Sequence, residues 1–204
     1  MEKRVNLLFV CVRNRVRSPF SEFIFRKMLK EKKEGLDDRI KVCSVGFFPP
    51  VLRDRLADLR ISLPEPIFGT SMSGATEEEL RKRGFDAPAG WTSRELAPDD
   101  VENSRLIIIS LPQQKEELLK LFPEARHKVF TLREMAGRDQ PLVNEIFSNF
   151  PLDDTFWWYC EENPAYVSNM LLDLEEALIE AFPKILRQLG VGNTEKFTTT
   201  TLSS

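Results

Sequence analysis

The sequence is poor in the residues that build disulfide scaffolds and metal sites. Its 204 residues include three cysteines and a single histidine. Three is an odd number in no framework spacing, which argues against a disulfide-stapled fold and favours a reducing compartment. His127 stands among charged residues with no Cys, Asp or Glu at ligand spacing. We therefore expect a surface histidine, no metal and no cofactor.

Long apolar runs and a large excess of one charge are also missing. No stretch is apolar enough to span a bilayer, and no signal-peptide hydrophobic segment follows the opening Met-Glu-Lys-Arg. A net charge of −3 gives no general affinity for nucleic acid. The composition predicts a cytoplasmic protein with neither nucleic acid nor membrane as a partner.

The residues that indicate a function are concentrated in a predicted strand, loop and helix near the start of the chain. Residues 5–10 are a β-branched and aromatic run typical of a strand that is buried on both faces. Ser18 is placed as a helix N-cap and Pro19 as the first helical residue, which predicts an amphipathic helix over 18–31. In such an arrangement backbone N–H groups and a helix N-terminus converge on an anion.

The loop between this strand and helix carries groups suited to phosphoryl chemistry. Cys11 opens it and Arg17 closes it, with five residues between them. A helix N-terminus, a guanidinium and a hydroxyl all favour a thiolate that could attack phosphorus. An arginine can also bind two phosphate oxygens bidentately. We predict that the loop binds phosphate through Val12, Arg13, Asn14, Arg15, Val16, Arg17 and Ser18.

Residues 10–19, which read VCVRNRVRSP, resemble the signature loop of the low-molecular-weight protein tyrosine phosphatases, V-C-x-G-N-x-C-R-S-P. The resemblance implies that Cys11 is the nucleophile and that Arg17 binds the phosphate. It also implies that Asn14 and Ser18 hold the loop and stabilise the thiolate.

Two positions in the loop depart from that pattern. Arg13 stands at the usual glycine and would be strained if the family geometry needs a positive φ there. Val16 stands at the usual second cysteine, so a disulfide within the loop cannot form. Arg13 and Arg15 are either solvated charges or a source of positive potential that favours a multiply anionic substrate.

Other segments extend the resemblance over about residues 4–190. Val42-Cys43-Ser44-Val45-Gly46 is similar to a family turn and implies that Ser44 supports the loop through Asn14. Residues 91–96 match a family stretch in which a histidine that braces the asparagine would align with Trp91. That brace is therefore missing or replaced by an indole donor.

The pattern of strands and helices predicts an α/β fold. Apolar runs at 39–45, 105–111 and 128–132 alternate with helical segments. We expect a four-stranded parallel sheet with helices on both faces, low-molecular-weight phosphatase-like, with the phosphate loop at the carboxyl end of the first strand. The predicted organisation is one domain over 1–190, an insertion or long loop at 47–74, a last helix to Leu189 that Pro183 kinks or divides, and a disordered tail at 191–204.

Phosphomonoester hydrolysis also needs a proton donor for the leaving group. The resemblance implies an aspartate in an Asp-Pro-aromatic motif before the last helix, and the chain has no such motif. Asp154 is the preferred candidate because an aromatic residue follows at the family offset, and Asp153 and Asp139 are the alternatives. The resemblance further implies that Phe156 and Trp157 line the crevice and stack on an aromatic substrate.

Together these observations predict a metal-free phosphomonoesterase, most simply a protein tyrosine phosphatase, that works through a phosphocysteine at Cys11. Its partners would be a phosphorylated protein or a small aryl phosphate, with inorganic phosphate as product. Two alternatives stay open. One is an arsenate reductase, for which Cys43 and Cys160 would have to supply further thiols. The other is a binding module that holds a phosphorylated partner without turnover.

Overall fold

The fold is built on a four-stranded, all-parallel sheet with the strand order β2-β1-β3-β4. The computed structural model describes residues 4–32, 35–142 and 156–191, and the side chains of Phe156 and Trp157 lie outside the described part. The strands are β1 (Val5–Cys11), β2 (Ile40–Gly46), β3 (Leu106–Ile109) and β4 (Val129–Thr131). The predicted fold class is confirmed.

The first strand is central because it pairs with β2 on one side and β3 on the other. Its apolar run leaves Leu7 and Val10 with no exposed surface, as expected for a strand covered on both faces. The register places Cys11 opposite Gly46. The carboxyl end of β1 therefore meets that of β2 at the edge where open α/β sheets bind ligands.

Helices cover both faces of the sheet. Within the described residues they are α1 (Arg17–Glu31), α2 (Leu36–Arg39), α3 (Pro50–Asp58), α4 (Gly74–Lys82), α5 (Pro98–Asn103), α6 (Pro112–Leu121), α7 (Leu132–Ala136), α8 (Phe156–Glu161) and α9 (Pro164–Leu189), with a 3₁₀ turn at Pro123–His127. One core joins α1, α9 and one face of the sheet, and a second joins the opposite face to α5 and α6. None of these helices has both the length and the apolar character needed to cross a membrane.

The structure narrows two expectations about the elements. The segment 47–74 is not simply a long loop, because it contains α3, whose Leu56 is fully buried. Pro183 does not divide the last helix, which runs unbroken from Pro164 to Leu189. The turns beyond the proline are held by Ile185, Leu186 and Leu189 in the core. Their burial offsets the roughly 3 kcal/mol that an interior proline costs a helix.

Candidate active site

Cys11 is the last residue of β1 and only 2% of its surface is exposed. Its Sγ lies 3.0 Å from the Oγ of Ser18, whose hydroxyl can donate to it. The same Oγ lies 3.1 Å from the carbonyl oxygen of Val45, so two acceptors compete for one proton. A thiolate at Cys11 would therefore have a hydroxyl donor at hand in the first turn of α1.

The prediction that Ser18 caps α1 is wrong. The helix begins at Arg17, its N-cap position is Val16, and no side chain caps it. The hydroxyl of Ser18 is instead turned back toward Cys11 and accepts a hydrogen bond of 2.9 Å from the side-chain amide of Asn14. No side chain therefore caps this end of α1, and a helix N-terminus of this kind attracts an anion.

Asn14 is the residue that fixes the shape of the loop. Its φ of 55° lies in the left-handed region, which asparagine tolerates better than most residues. Its Nδ2 donates to the Oγ of Ser18 and to that of Ser44, both at 2.9 Å, and its Oδ1 accepts from the backbone N–H of Arg94 at 3.1 Å. Arg13 does not have a positive φ, so the strain considered for it does not arise.

The brace on Asn14 comes from backbone rather than from Trp91. Within the described residues the Trp91 indole makes no hydrogen bond to Asn14, and the Trp91 ring packs half-buried against the core that contains α1 and α9. The amide oxygen of Asn14 is held by the Arg94 N–H instead. A main-chain donor needs no particular side chain, which explains how the loop is braced without a histidine.

Gly46 forms the floor beneath the loop. A Cβ at this position would lie 2.3 Å from a ring carbon of Phe68, 3.0 Å from the carbonyl carbon of Arg13 and 3.1 Å from the backbone nitrogen of Asn14. The Phe68 ring could turn away, but the loop backbone could not without moving. The close approach of two main chains here requires glycine.

We expect Gly46→Ala to lower the free energy of unfolding by about 1–3 kcal/mol, because the added methyl group overpacks the loop. Any phosphate-dependent activity should fall with it. Urea unfolding would measure the first effect. Gly74→Ala is the matched control, because the nearest atom to its added Cβ would be 3.9 Å away, on Glu162. Equal stability of the two variants would contradict the expectation.

The two non-family arginines of the loop are not solvated charges. Arg13 is only 4% exposed, and its Nη1 lies 2.9 Å from Oε2 of Glu161. Arg15 reaches the same oxygen at 2.5 Å and Oε1 of Glu162 at 3.1 Å. Its Nε also donates to the carbonyl of Ser71 at 2.9 Å. The arginines tie the phosphate loop to the end of α8, nearly 150 residues away.

These contacts enclose a small cavity of about 20 Å³. One wall is the phosphate loop, and the other comes from α8 and the start of α9. The lining residues are Cys11, Val12, Arg13, Arg15, Val16, Arg17, Cys160, Glu161, Tyr166 and Met170.

Burial controls the titration of the groups on the second wall. Desolvation raises the pKa of the Glu161 carboxyl, although Arg13 and Arg15 act in the opposite direction. Desolvation also raises the pKa of the Cys160 thiol to about 12 and that of the Tyr166 hydroxyl to about 12. Cys160 therefore remains a neutral thiol at neutral pH, although it shares the cavity with Cys11.

Most of the carboxylates and aromatic residues predicted from the sequence fall outside the part of the chain that the structure describes. Asp153 and Asp154 lie outside the described part of the chain, as do the side chains of Phe156 and Trp157. Asp139 is exposed beyond the end of α7 and does not line the cavity. His127 is exposed, and its Nδ1 lies 2.9 Å from the carbonyl oxygen of Glu124.

The residues that sequence reasoning missed are those of the second wall: Cys160, Glu161, Tyr166 and Met170. Glu161 carried one weak signal, since an adjacent pair of glutamates follows four aromatic residues. Nothing local tells which cations such a pair meets. The three ranges that the structure describes contain no cluster of His, Cys, Asp and Glu that could hold a metal ion.

The comparisons with known proteins bear on the same loop. The model of the family described as low molecular weight phosphotyrosine protein phosphatase matches residues 6–58, which hold β1, the phosphate loop, α1 and β2. The predicted resemblance is confirmed. It concerns about a quarter of the chain by sequence, and no curated protein matches the chain.

Solved structures extend the likeness in fold to most of the chain. A low molecular weight phosphotyrosine phosphatase from Vibrio cholerae is 18% identical, with a TM-score of 0.63 over 90% of this chain and 98% of that one. A protein tyrosine phosphatase from Entamoeba histolytica is 18% identical, with a TM-score of 0.64 over 90% and 97%. The YwlE arginine phosphatase from Geobacillus stearothermophilus is 22% identical, with a TM-score of 0.56 over 94% and 99%.

Proposed function

We propose that this protein is a cysteine-dependent phosphomonoesterase of the low-molecular-weight tyrosine phosphatase type. One observation carries the proposal. The Sγ of Cys11 lies 3.0 Å from a hydroxyl donor, at the N-terminus of α1, in a cavity that Arg17 also lines. This combination holds a thiolate and an oxyanion in one place.

In the first step the Cys11 thiolate attacks phosphorus, an S–P bond forms and the ester P–O bond breaks. The alkoxide or phenoxide leaves and takes a proton from an acid. In the second step water loses a proton to a base, its oxygen attacks phosphorus and the S–P bond breaks. Inorganic phosphate leaves, and the thiolate is restored. No oxidant, reductant or cofactor enters the balance.

Arg17 is suited to hold the non-bridging oxygens throughout. It is the first residue of α1, is 8% exposed and lines the cavity beside Cys11. A guanidinium fixed in this way matches two oxygens at once and opposes the charge that builds up on them. A hydrogen-bond network behind the Cys11 sulfur connects Ser18, Asn14 and Ser44.

The substrate class follows from the resemblance and from the second wall. Tyr166 and Met170 bring an aromatic ring and a thioether to the cavity, which suits contact with an aryl ester. We propose a phosphorylated protein, in the first place one carrying phosphotyrosine, and small aryl phosphates as model substrates. For the leaving-group proton, Asp154 and then Asp153 remain the proposals from sequence.

The decisive experiment is acid-quenched mass spectrometry during turnover of an aryl phosphate. We expect phosphate release and a phosphoryl group on the peptide that contains Cys11. Turnover with no modified Cys11 would reject the phosphocysteine route. Phosphate binding without turnover would instead favour the binding module, and turnover of arsenate coupled to a thiol reductant would favour the reductase.

A further inference from the structure

Glu161 is the one carboxyl that the described residues bring to the cavity holding Cys11. It is the last residue of α8 and is 7% exposed. The chain leaves α8 through Glu162 and Asn163, both of whose N–H groups donate to the carbonyl of Trp158 at 2.8 Å. Asn163 then caps α9 through the N–H of Tyr166. Glu161 is thus held between two helices rather than on a loose loop.

The contacts of Glu161 divide unequally between its two oxygens. Oε2 accepts from Arg13 at 2.9 Å and from Arg15 at 2.5 Å. Within residues 4–32, 35–142 and 156–191, Oε1 accepts no hydrogen bond. Oε2 therefore fixes the orientation of the carboxyl, and Glu161 lines the cavity that holds Cys11.

We propose that Glu161 is the proton donor and acceptor of the reaction, with Arg13 and Arg15 as the residues that position it. The proposal rests on the proposed function, since it assigns the acid that the phosphocysteine route requires. In the first step the protonated carboxyl gives its proton to the departing oxygen. In the second step the carboxylate takes a proton from the attacking water, so it ends as it began.

The environment of Glu161 suits both halves of this cycle. Burial favours the neutral acid that must be present when the leaving group departs. The two guanidiniums favour the carboxylate that must be present when water attacks. A group balanced between opposing influences can change protonation state between the steps. Glu161 also lines the same small cavity as Cys11 and Arg17.

In this proposal Arg13 and Arg15, which the family pattern lacks, position Glu161. Their guanidiniums pair with the carboxyls of Glu161 and Glu162. They orient an acid that comes from a different part of the chain. Arg13, which stands at the position of the usual glycine, pairs with the Glu161 carboxyl.

The test compares Glu161→Gln with Glu162→Gln on two aryl phosphates, one with a good leaving group, such as 4-nitrophenyl phosphate, and one with a poor leaving group, such as phenyl phosphate. Glu162 is the matched control because it also pairs with Arg15 but does not line the cavity. We expect Glu161→Gln to lower kcat/KM for phenyl phosphate by about 10²-fold or more, and that for the activated ester much less. The alkaline limb of the pH profile for phenyl phosphate should disappear.

Several outcomes would overturn the assignment. If Glu161→Gln lowers kcat/KM equally for both esters, Glu161 only docks α8, and the same holds if it raises both by opening the loop. A leaving-group-dependent loss in Asp154→Asn or Asp153→Asn, absent in Glu161→Gln, would give the role to that aspartate. Glu161→Asp, which keeps the carboxyl, should restore part of the leaving-group effect, and vanadate binding checks that each variant is folded.

Failure of the proposed function would look different. If the unaltered protein hydrolyses neither ester and no phosphoryl group is found on Cys11, the phosphatase assignment and the role of Glu161 both fall. If Cys11 is phosphorylated and turnover is normal while Glu161→Gln shows no leaving-group effect, only the role of Glu161 falls.

Discussion

Cys11→Ser should abolish hydrolysis of aryl phosphates, with a loss in kcat on the order of 10⁴- to 10⁶-fold, as for removal of other catalytic nucleophiles. The serine hydroxyl is a far weaker nucleophile than a thiolate at neutral pH. The Oγ of Ser18 lies where it would stabilise a negative sulfur, not where it would remove a proton. Steady-state kinetics at several pH values would measure the loss.

The same variant should still fold and bind phosphate. Cys11 is packed at the end of a central strand. Exchanging its sulfur for oxygen leaves in place the hydrogen bond that its backbone carbonyl accepts from the N–H of Phe47. Cys43→Ser is the matched control, because Cys43 lies on the neighbouring strand β2 and does not line the cavity. Hydrolysis that survives in Cys11→Ser would exclude the phosphocysteine mechanism.

Arg17→Lys should lower kcat/KM for aryl phosphates by about 10²- to 10³-fold, the cost of losing a preorganised donor to a developing oxyanion. The positive charge is kept, so the loss would measure the bidentate geometry of the guanidinium rather than its charge. An ammonium on a flexible stem cannot hold two oxygens in the fixed orientation that Arg17 has at the start of α1. Arg17→Met, which removes the charge as well, should lower kcat/KM further.

Arg187→Lys provides the comparison, because Arg187 is exposed near the end of α9, away from the cavity. Its kcat/KM should equal that of the unaltered protein. Thermal unfolding of both variants separates a loss of chemistry from a loss of fold, since Arg17 is buried. A fall of less than tenfold in a folded Arg17→Lys protein would mean that Arg17 does not bind the transferred phosphoryl group.

The parts of the site that could be predicted are those whose signal is local. An apolar run followed by a cysteine, five residues and an arginine specifies a strand, a loop and a helix start, because each depends on neighbouring residues. Ser44 was found through the resemblance, and it lies within hydrogen-bonding distance of Asn14. Even so, the local rule failed for Ser18, because its hydroxyl is used by the loop rather than by the helix end.

The second wall of the site could not be predicted for a physical reason. Arg13 and Arg15 are far along the chain from Glu161, and an isolated sequence does not show which buried charges meet. A charged side chain is usually solvated, so the burial of Arg13 and Glu161 and the partial burial of Arg15 reverse the ordinary expectation. Pro183 is similar, since core packing beyond it decides whether the helix continues.

The sequence alone therefore determined the parallel α/β fold and the loop from Cys11 to Ser18, because both are encoded by periodicity and short spacing. Only the tertiary structure decided what faces that loop. It placed Glu161 against Arg13 and Arg15, and it brought Tyr166 to the same cavity as Cys11. These partnerships arise because the end of α8 and the start of α9 lie against the loop that follows β1, and such long-range packing has no counterpart in local sequence.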